Sequence, residues 1–426
     1  GLGLGLVSGF PMAFTLAGSS IVASWIFIGF DSLPYVATNV FGMMSSMILI
    51  AMPLFIFMAC VLEKSGVTHD LYNFMHQLLG SLRGGLAMGT VAICAIIAPM
   101  SGVSTTGVVT MGIIALPIML QQRYSKNIAI GPILAGGALG LLIPPSVSLI
   151  IYGMIARVSI GRLFAGAIIP GLILVFLYMT YIAVRCYLNP KLGPALPVAE
   201  RVPFKEKLKL AKSLILPMLI IVSVLGSIFK GIASPTEAAA VGAGGAILSA
   251  AINRRLNWEV IKDACYRTMA INGMIMWILF GASCFTSIFF RTGGQGLIGD
   301  MMLGIDNPAV IFAIILVTLI VLGFFLDEIT QIMITVPVFL PIIVELGYDP
   351  VWFGVLFMTQ VQMDYLTPPF GFTLFYLKGV APPEVSMTDI YKSILPFLFI
   401  QLFVVILILL FPQIVLWLPE EVFALR

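Results

Sequence analysis

The chain has 426 residues, of which 60% are apolar and 10% charged, against roughly 25% charged residues in an ordinary soluble domain. Its 22 basic and 19 acidic side chains leave a formal charge of +3, and the basic ones sit in short connecting segments, a pattern that orients a membrane protein and argues against a nucleic-acid partner. Charge-free stretches recur at 1–30, 86–122 and 163–184, so no soluble domain is left over and the lipid bilayer is the main solvent.

Gly1 opens inside an apolar run, and the expectation is a native start that is missing or a first helix cut short, with no signal peptide visible. About 20 apolar residues cross a hydrocarbon core of about 30 Å. Candidate spans fall at 3–29, 41–62, 163–188, 213–229, 235–252, 265–290 and 393–418. Between the second and third spans, VTHDLYNFMHQLLG reads as an amphipathic helix lying at the membrane surface. It holds both histidines, His69 and His76, too far from other donors to suggest a metal site.

The run 86–122 contains SGVSTT, so that Ser101, Ser104, Thr105 and Thr106 cluster around Gly102. With Arg83 before it and Arg123 and Lys126 after it, both ends lie on one side, as for a re-entrant hairpin or a pair of short spans. Small hydroxyl residues serve as close-packing devices between membrane helices; four of them at one turn also suit a binding role. The apolar run 127–157 is too long for one straight span, and GLLIPPS (140–146) supplies a break, because proline lacks a donor and pushes the residue before it out of the helix. Carbonyls freed at membrane depth must be buried or line a wet cavity. There they suit a hard cation, and half-helix N-termini suit an anion; the plain alternative is a proline kink satisfied by neighbours.

Six basic residues and four prolines make 189–212 a cytoplasmic linker, and Arg254, Arg255, Lys262 and Arg267 mark a second cytoplasmic loop two spans later. The segments 292–307 and 346–350 hold no Lys or Arg and fall outside. LDEIT (326–330) then places Asp327 and Glu328 within an apolar region. A carboxylate at bilayer depth costs on the order of 3 kcal/mol and normally has a partner; with Thr330 and Asp364 nearby, a cation is the obvious one, unless the pair sits at a wet hairpin end. DYLTPPFG (364–371) is a second break.

Pro117 lies 224 residues before Pro341, and the same offset relates Pro144-Pro145 to Pro368-Pro369 and Tyr152 to Tyr376. Each half reads as a polar kink, a proline-containing arm, a short turn and a helix broken at Pro-Pro. The loop charges give the halves opposite orientation, and an inverted repeat of this kind marks secondary transporters. The five cysteines lack CxxC spacing and read as unpaired packing residues. No Walker A sequence is present. An ion channel needs a continuous hydrated path, for which the repeat has no evident use. An intramembrane hydrolase needs a general base, and neither histidine lies at membrane depth.

Through GLLIPPS, TPPFGFTLF (367–375) and the paired kinks, the whole chain resembles the large membrane subunit of tripartite ATP-independent periplasmic (TRAP) transporters. The resemblance implies an all-α, multi-pass protein of the bacterial inner membrane and no enzyme. It implies sodium-driven uptake of a small organic anion, such as a dicarboxylate, a sulfonate or a sugar acid like sialic acid, by an elevator mechanism. Its implied partners are a periplasmic substrate-binding protein and a small four-helix membrane subunit. A carboxylate symporter of similar architecture that needs no binding protein is the alternative.

By the same resemblance, scaffold helices occupy 1–62, 158–188 and 213–291, a cytoplasmic arm 63–85, and the linker 189–212. Transport repeats with re-entrant hairpins occupy 86–157 and 292–381, and an amphipathic arm and last helix 382–426. One sodium site is implied among Ser101, Gly102, Ser104, Thr105, Thr106, Gly140, Ile143 and Pro144. A second is implied among Asp327, Thr330, Asp364, Thr367 and Pro368. Substrate lies between the hairpin tips, at Ser101, Ser104, Ser146, Asp327 and Thr330. The second tip, LDEIT, is more acidic than the small-residue tips of many relatives.

Overall fold

The computed structural model describes residues 3, 5, 9–29, 33–101, 104–197, 203, 207, 212–368 and 371–424; the side chains of 33, 68, 99–101, 104, 105, 212 and 213 lie outside the description. Every regular element among these residues is helical, as a chain in lipid requires when each backbone polar group must be satisfied within the protein. Six helices are long and apolar enough to cross a membrane.

The first group is α1 (Met12–Phe27), α2 (Leu33–Met44) and α3 (Ala51–Lys64), joined later in the chain by α10 (Lys212–Phe229), α11 (Pro235–Ile252) and α12 (Trp258–Arg291). Helix α3 packs against α11 and α12, and α1 and α2 also pack along α12. The expected span 41–62 is interrupted: α2 stops at Met44, Ser46 is extended, and a 3-10 turn at Met47–Ile50 precedes α3. The Ser45 hydroxyl donates to Phe41 O at 3.0 Å, the local side-chain competition that weakens a helix end. The expected spans 163–188 and 265–290 start earlier, at Ile160 and Trp258, because Ser159 and Asn257 cap the added turns. The segment 393–418 is two helices, since Phe411 leaves the helical region ahead of Pro412.

All five cysteines are free, but Cys265 is exposed on α12 and so is no packing residue. The amphipathic segment forms α4 (Val67–Leu79) as expected, and Arg255 fastens it through Asp70 at 2.7 Å and Ser65 O at 3.0 Å.

The second group contains the repeat. Helices α5 (Gly85–Ser101) and α6 (Ser104–Gln121) form a hairpin, followed by α7 (Lys126–Ala138), a 3-10 turn at Leu139–Leu141 and α8 (Val147–Ala156). Helix α9 (Ile160–Leu188) closes this half. After α13 (Gly294–Leu303), the second half runs α14 (Pro308–Gly323), α15 (Glu328–Glu345), α16 (Pro350–Asp364), α17 (Phe372–Val380) and α18 (Met387–Leu410), ending in α19 (Gln413–Phe423). An offset of 224 maps α6 onto α15 end to end and the start of α7 onto that of α16, so the sequence repeat is a structural one.

Helix α9 serves as a ruler for orientation, since 29 residues at 1.5 Å each span about 43 Å. At its C-terminal end, Gly84 N donates to Gly193 O at 2.9 Å and Ser125 N to Leu192 O at 3.0 Å, which fixes the open end of the first hairpin beside the basic linker. At its N-terminal end, Arg162 pairs with Asp349 at 3.3 Å, which fixes the open end of the second hairpin, α14 with α15, on the opposite face. The two hairpins therefore point toward each other from opposite sides.

Each hairpin also packs on the other half. Helix α6 lies against α17 and α15 against α8, the exchange a two-fold relation between the repeats demands. Gly112 permits the first contact, for a Cβ there would sit 2.8 Å from Leu377 Cδ1 and 2.9 Å from Val380 Cγ2.

Candidate ion and substrate site

The first hairpin meets the first broken helix just before its break. A Cβ on Gly107 would come within 3.2 Å of Gly137 Cα, and one on Gly137 within 2.8 Å of Val108 N. Only paired glycines let two backbones approach so closely. Gly140 lies in the 3-10 turn that follows, and the chain then runs through Ile143 and Pro144 to Ser146. Ser146 is fully buried; its hydroxyl donates to Leu141 O at 2.7 Å and accepts from Leu149 N at 3.4 Å, bridging the break and capping α8. Ile143 Cγ1 would meet a Cβ on Gly171 of α9 at 2.8 Å.

Thr106 is half-buried near the start of α6, one residue before the Gly107 contact. Ser101 ends α5 and Ser104 begins α6, while the side chains of Ser101, Ser104 and Thr105 and the whole of Gly102 lie outside the described residues. The structure thus brings Thr106 toward the 137–141 segment.

At the second tip, Asp327 caps α15. Its Oδ2 accepts from Ile329 N at 3.2 Å and Thr330 N at 3.4 Å, and its Oδ1 from the Thr330 hydroxyl. An aspartate at this position satisfies orphan donors and offsets the positive end of the helix dipole. Glu328 N donates to the Tyr365 hydroxyl at 3.3 Å, tying the tip to the break after α16. Around that break, Thr367 Oγ1 donates to Met363 O at 2.7 Å and Thr373 Oγ1 to Tyr365 O at 2.6 Å, so side-chain hydroxyls take up carbonyls the helix has released. Pro368 follows, half-buried.

Asp364 is 1% exposed and faces the arms of the second hairpin. Gln360 Nε2 donates to its Oδ1 at 2.9 Å, and Gln331 Nε2 lies 3.5 Å from its Oδ2 while donating to Leu319 O at 2.7 Å. No cationic side chain pairs with it among the described residues. Asp327 and Thr330 therefore pair with each other, and Asp364 is held by glutamines from α15 and α16. Gln331, Gln360 and Tyr365 escaped the sequence reading because single polar residues in an apolar helix carry no periodic signal.

The sequence profile described as "Tripartite ATP-independent periplasmic transporter, DctM component" matches residues 2–414. The chain belongs to this family. Like its relatives, this TRAP large permease is a multi-pass inner-membrane component of a transporter and not an enzyme. It is similar to the isethionate TRAP transporter permease DctMQ of Oleidesulfovibrio alaskensis, with 31% identity over 96% of this chain and 64% of that protein. The chain thus spans under two thirds of that relative's length. It is also 31% identical to the C4-dicarboxylate TRAP transporter large permease DctM of Vibrio cholerae, over 97% of this chain and 95% of the relative. The solved structure of the Alcanivorax borkumensis YdaH transporter shares the fold, with a TM-score of 0.64 at 16% identity, covering 94% of this chain and 97% of that one.

Proposed function

We propose that this TRAP permease carries a small organic anion across the inner membrane in symport with sodium. In this reading a periplasmic binding protein delivers the substrate and a small four-helix membrane subunit enlarges the frame. The observation that supports it is the crossed pair of inverted hairpins, each seated on a helix broken within the protein interior. Gly107 lies fourteen residues, about 21 Å, from the open end of its hairpin at Gln121. A contact at that depth lies inside a hydrocarbon core of about 30 Å, as the seat of a re-entrant hairpin does. Freed backbone groups at that depth suit a cation and an anion between them.

The cation sites of this reading are Ser101, Gly102, Ser104, Thr105 and Thr106 with Gly140, Ile143 and Pro144, and Asp327, Thr330, Asp364, Thr367 and Pro368. Substrate lies between the tips, with Ser101, Ser104, Ser146, Asp327 and Thr330 around it. The first helix group is the frame of an elevator and the two repeats are its moving part. Helices α9 and α18 pack on the broken helices, so we place them with the moving part and not with the frame to which 158–188 was assigned. The names of the relatives point to isethionate and C4-dicarboxylates as the class of substrate.

Two sodium ions with a monoanion move one net charge, which at 100 mV releases about 2.3 kcal/mol. That supports roughly fortyfold accumulation before any sodium gradient contributes. The test is uptake into proteoliposomes holding the permease and its small subunit, with and without the binding protein. Uptake that needs both external sodium and the binding protein is expected; undiminished uptake in potassium buffer overturns the reading.

A further inference from the structure

The two halves share helix boundaries but differ in chemistry where each hairpin meets its broken helix. At the offset of 224, Gly107 corresponds to Gln331, Gly136 to Gln360 and Gly140 to Asp364. The first hairpin is thus seated glycine on glycine, with Gly107 against Gly137. The second is seated through three buried polar side chains, each about 1% exposed.

Those side chains leave acceptor capacity unmet. Gln331 Nε2 is engaged by Leu319 O across the hairpin, and its Oε1 is buried with no partner among the described residues. Beside it, Asp364 Oδ2 has only the 3.5 Å contact with the same amide, a weak hydrogen bond at that length. A buried carboxylate oxygen with one weak donor, next to an amide whose own oxygen has none, is costly unless something positive lies near them. Sodium is a hard cation that takes oxygen ligands and fits this donor set; Leu319, Gly323 and Gln331 come from the hairpin and Asp364 from α16.

We propose that Asp364 Oδ2 and Gln331 Oε1 form a monovalent-cation latch that pins the second hairpin to α16, and that the first hairpin, seated on glycines, has no counterpart. The latch rests on the sodium-coupled reading above and adds Gln331 to it as a ligand. Cation binding links the α14–α15 hairpin to α16 directly, so only this hairpin responds to the ion through a charged contact. Without the ion, the polar contacts across the seat among the described residues are the 3.5 Å approach of Gln331 Nε2 to Asp364 Oδ2 and the Glu328–Tyr365 bond.

The test uses the permease with its small subunit in lipid nanodiscs, titrated with sodium chloride against potassium chloride at constant ionic strength. Melting temperature and uptake in matched proteoliposomes are both read. Wild type is expected to be stabilised by sodium. Gln331→Leu is expected to raise the sodium midpoint about 10- to 100-fold in both readouts, as loss of a supporting partner does at metal sites. Gln331→Glu, which retains an oxygen ligand and adds a negative charge, is expected to bring the midpoint to or below the wild-type value. Should the leucine variant not fold, Gln331→Asn withdraws the oxygen by one methylene and is expected to show the same shift. Sodium-responsive wild type with unmoved midpoints in the leucine and asparagine variants overturns the latch alone. Wild type indifferent to sodium in both readouts overturns the sodium reading and the latch with it.

Discussion

Gly323 and Asp364 are packed so closely that a Cβ on the glycine would lie 2.2 Å from Asp364 Oδ2 and 2.6 Å from its Cβ. The clash involves the whole side chain, so a rotation of the carboxylate does not relieve it. Gly323→Ala is expected to destabilise by about 1–3 kcal/mol, the usual cost of overpacking. Adding Asp364→Ala removes the carboxylate but leaves its Cβ in the way, so the two changes together are expected to cost less than the sum of each alone. Additive effects in this cycle, read from melting temperatures, would show that the two residues are not coupled.

The turns that follow the two hairpins carry ion pairs of reversed polarity. Lys126 at the start of α7 pairs with Asp389 of α18 at 2.8 Å, and Asp349 before α16 pairs with Arg162 of α9 at 3.3 Å. Their side chains are between 28% and 40% exposed, so each pair contributes no more than about 1 kcal/mol. Lys126→Ala is therefore expected to lower the melting temperature only slightly, whereas Asp349→Ala also loses the cap of α16, where Val351 N donates to Asp349 Oδ1 at 2.6 Å, and is expected to cost about 1 kcal/mol more. The same geometry fixes sidedness. Cysteines placed at Lys207 and Arg254 are expected to react only from the cytoplasm, and at Asn307 and Gly347 only from outside. Labelling of Gly347 and Gln122 from one side would contradict the opposed hairpins.

Ser146 closes the first break with two hydrogen bonds inside a fully buried environment. Ser146→Ala loses a helix cap and leaves Leu141 O without its donor, an expected cost of about 1–2 kcal/mol. A melting curve superimposable on wild type would refute this bridging role.

What the sequence revealed was set by residues whose backbone chemistry is unambiguous. The helices before Pro144-Pro145 and Pro368 end at Ala138 and Asp364, ahead of each proline as expected. Spans were misjudged where the signal was side-chain competition, as at Ser45 and Ser46, or where Pro412 sat inside a run of uniform hydropathy. The polar seat of the second hairpin was half visible: Asp364 stood out by its charge, whereas Gln331 and Gln360 acquire meaning only beside Gly107 and Gly136 of the other half. Close packing at Gly323 was beyond reach, since the glycine's neighbour lies on another helix.

The roles of the two tips separate by charge. Asp327 holds the first turn of α15 with both carboxylate oxygens. Asparagine caps helices as well as aspartate does, so Asp327→Asn is expected to preserve folding and remove only the negative charge. Asp327→Ala loses the cap too, at about 1 kcal/mol. If a cation lies at this tip, Asp327→Asn raises the sodium concentration for half-maximal uptake while its melting temperature without sodium stays at the wild-type value. At the first tip, Ser104→Ala and Thr106→Ala each remove one hydroxyl from a helix start in which alanine is well tolerated, and a hard cation losing an oxygen ligand shifts in the same direction. Sodium titrations of reconstituted variants at matched protein levels decide the matter. Unchanged sodium dependence in all three would leave Asp327 a helix cap and the hydroxyls packing groups. A shift confined to Asp327→Asn would place the ion-sensitive contact in the second half alone, where Asp364 and Gln331 already put a buried carboxylate beneath the hairpin.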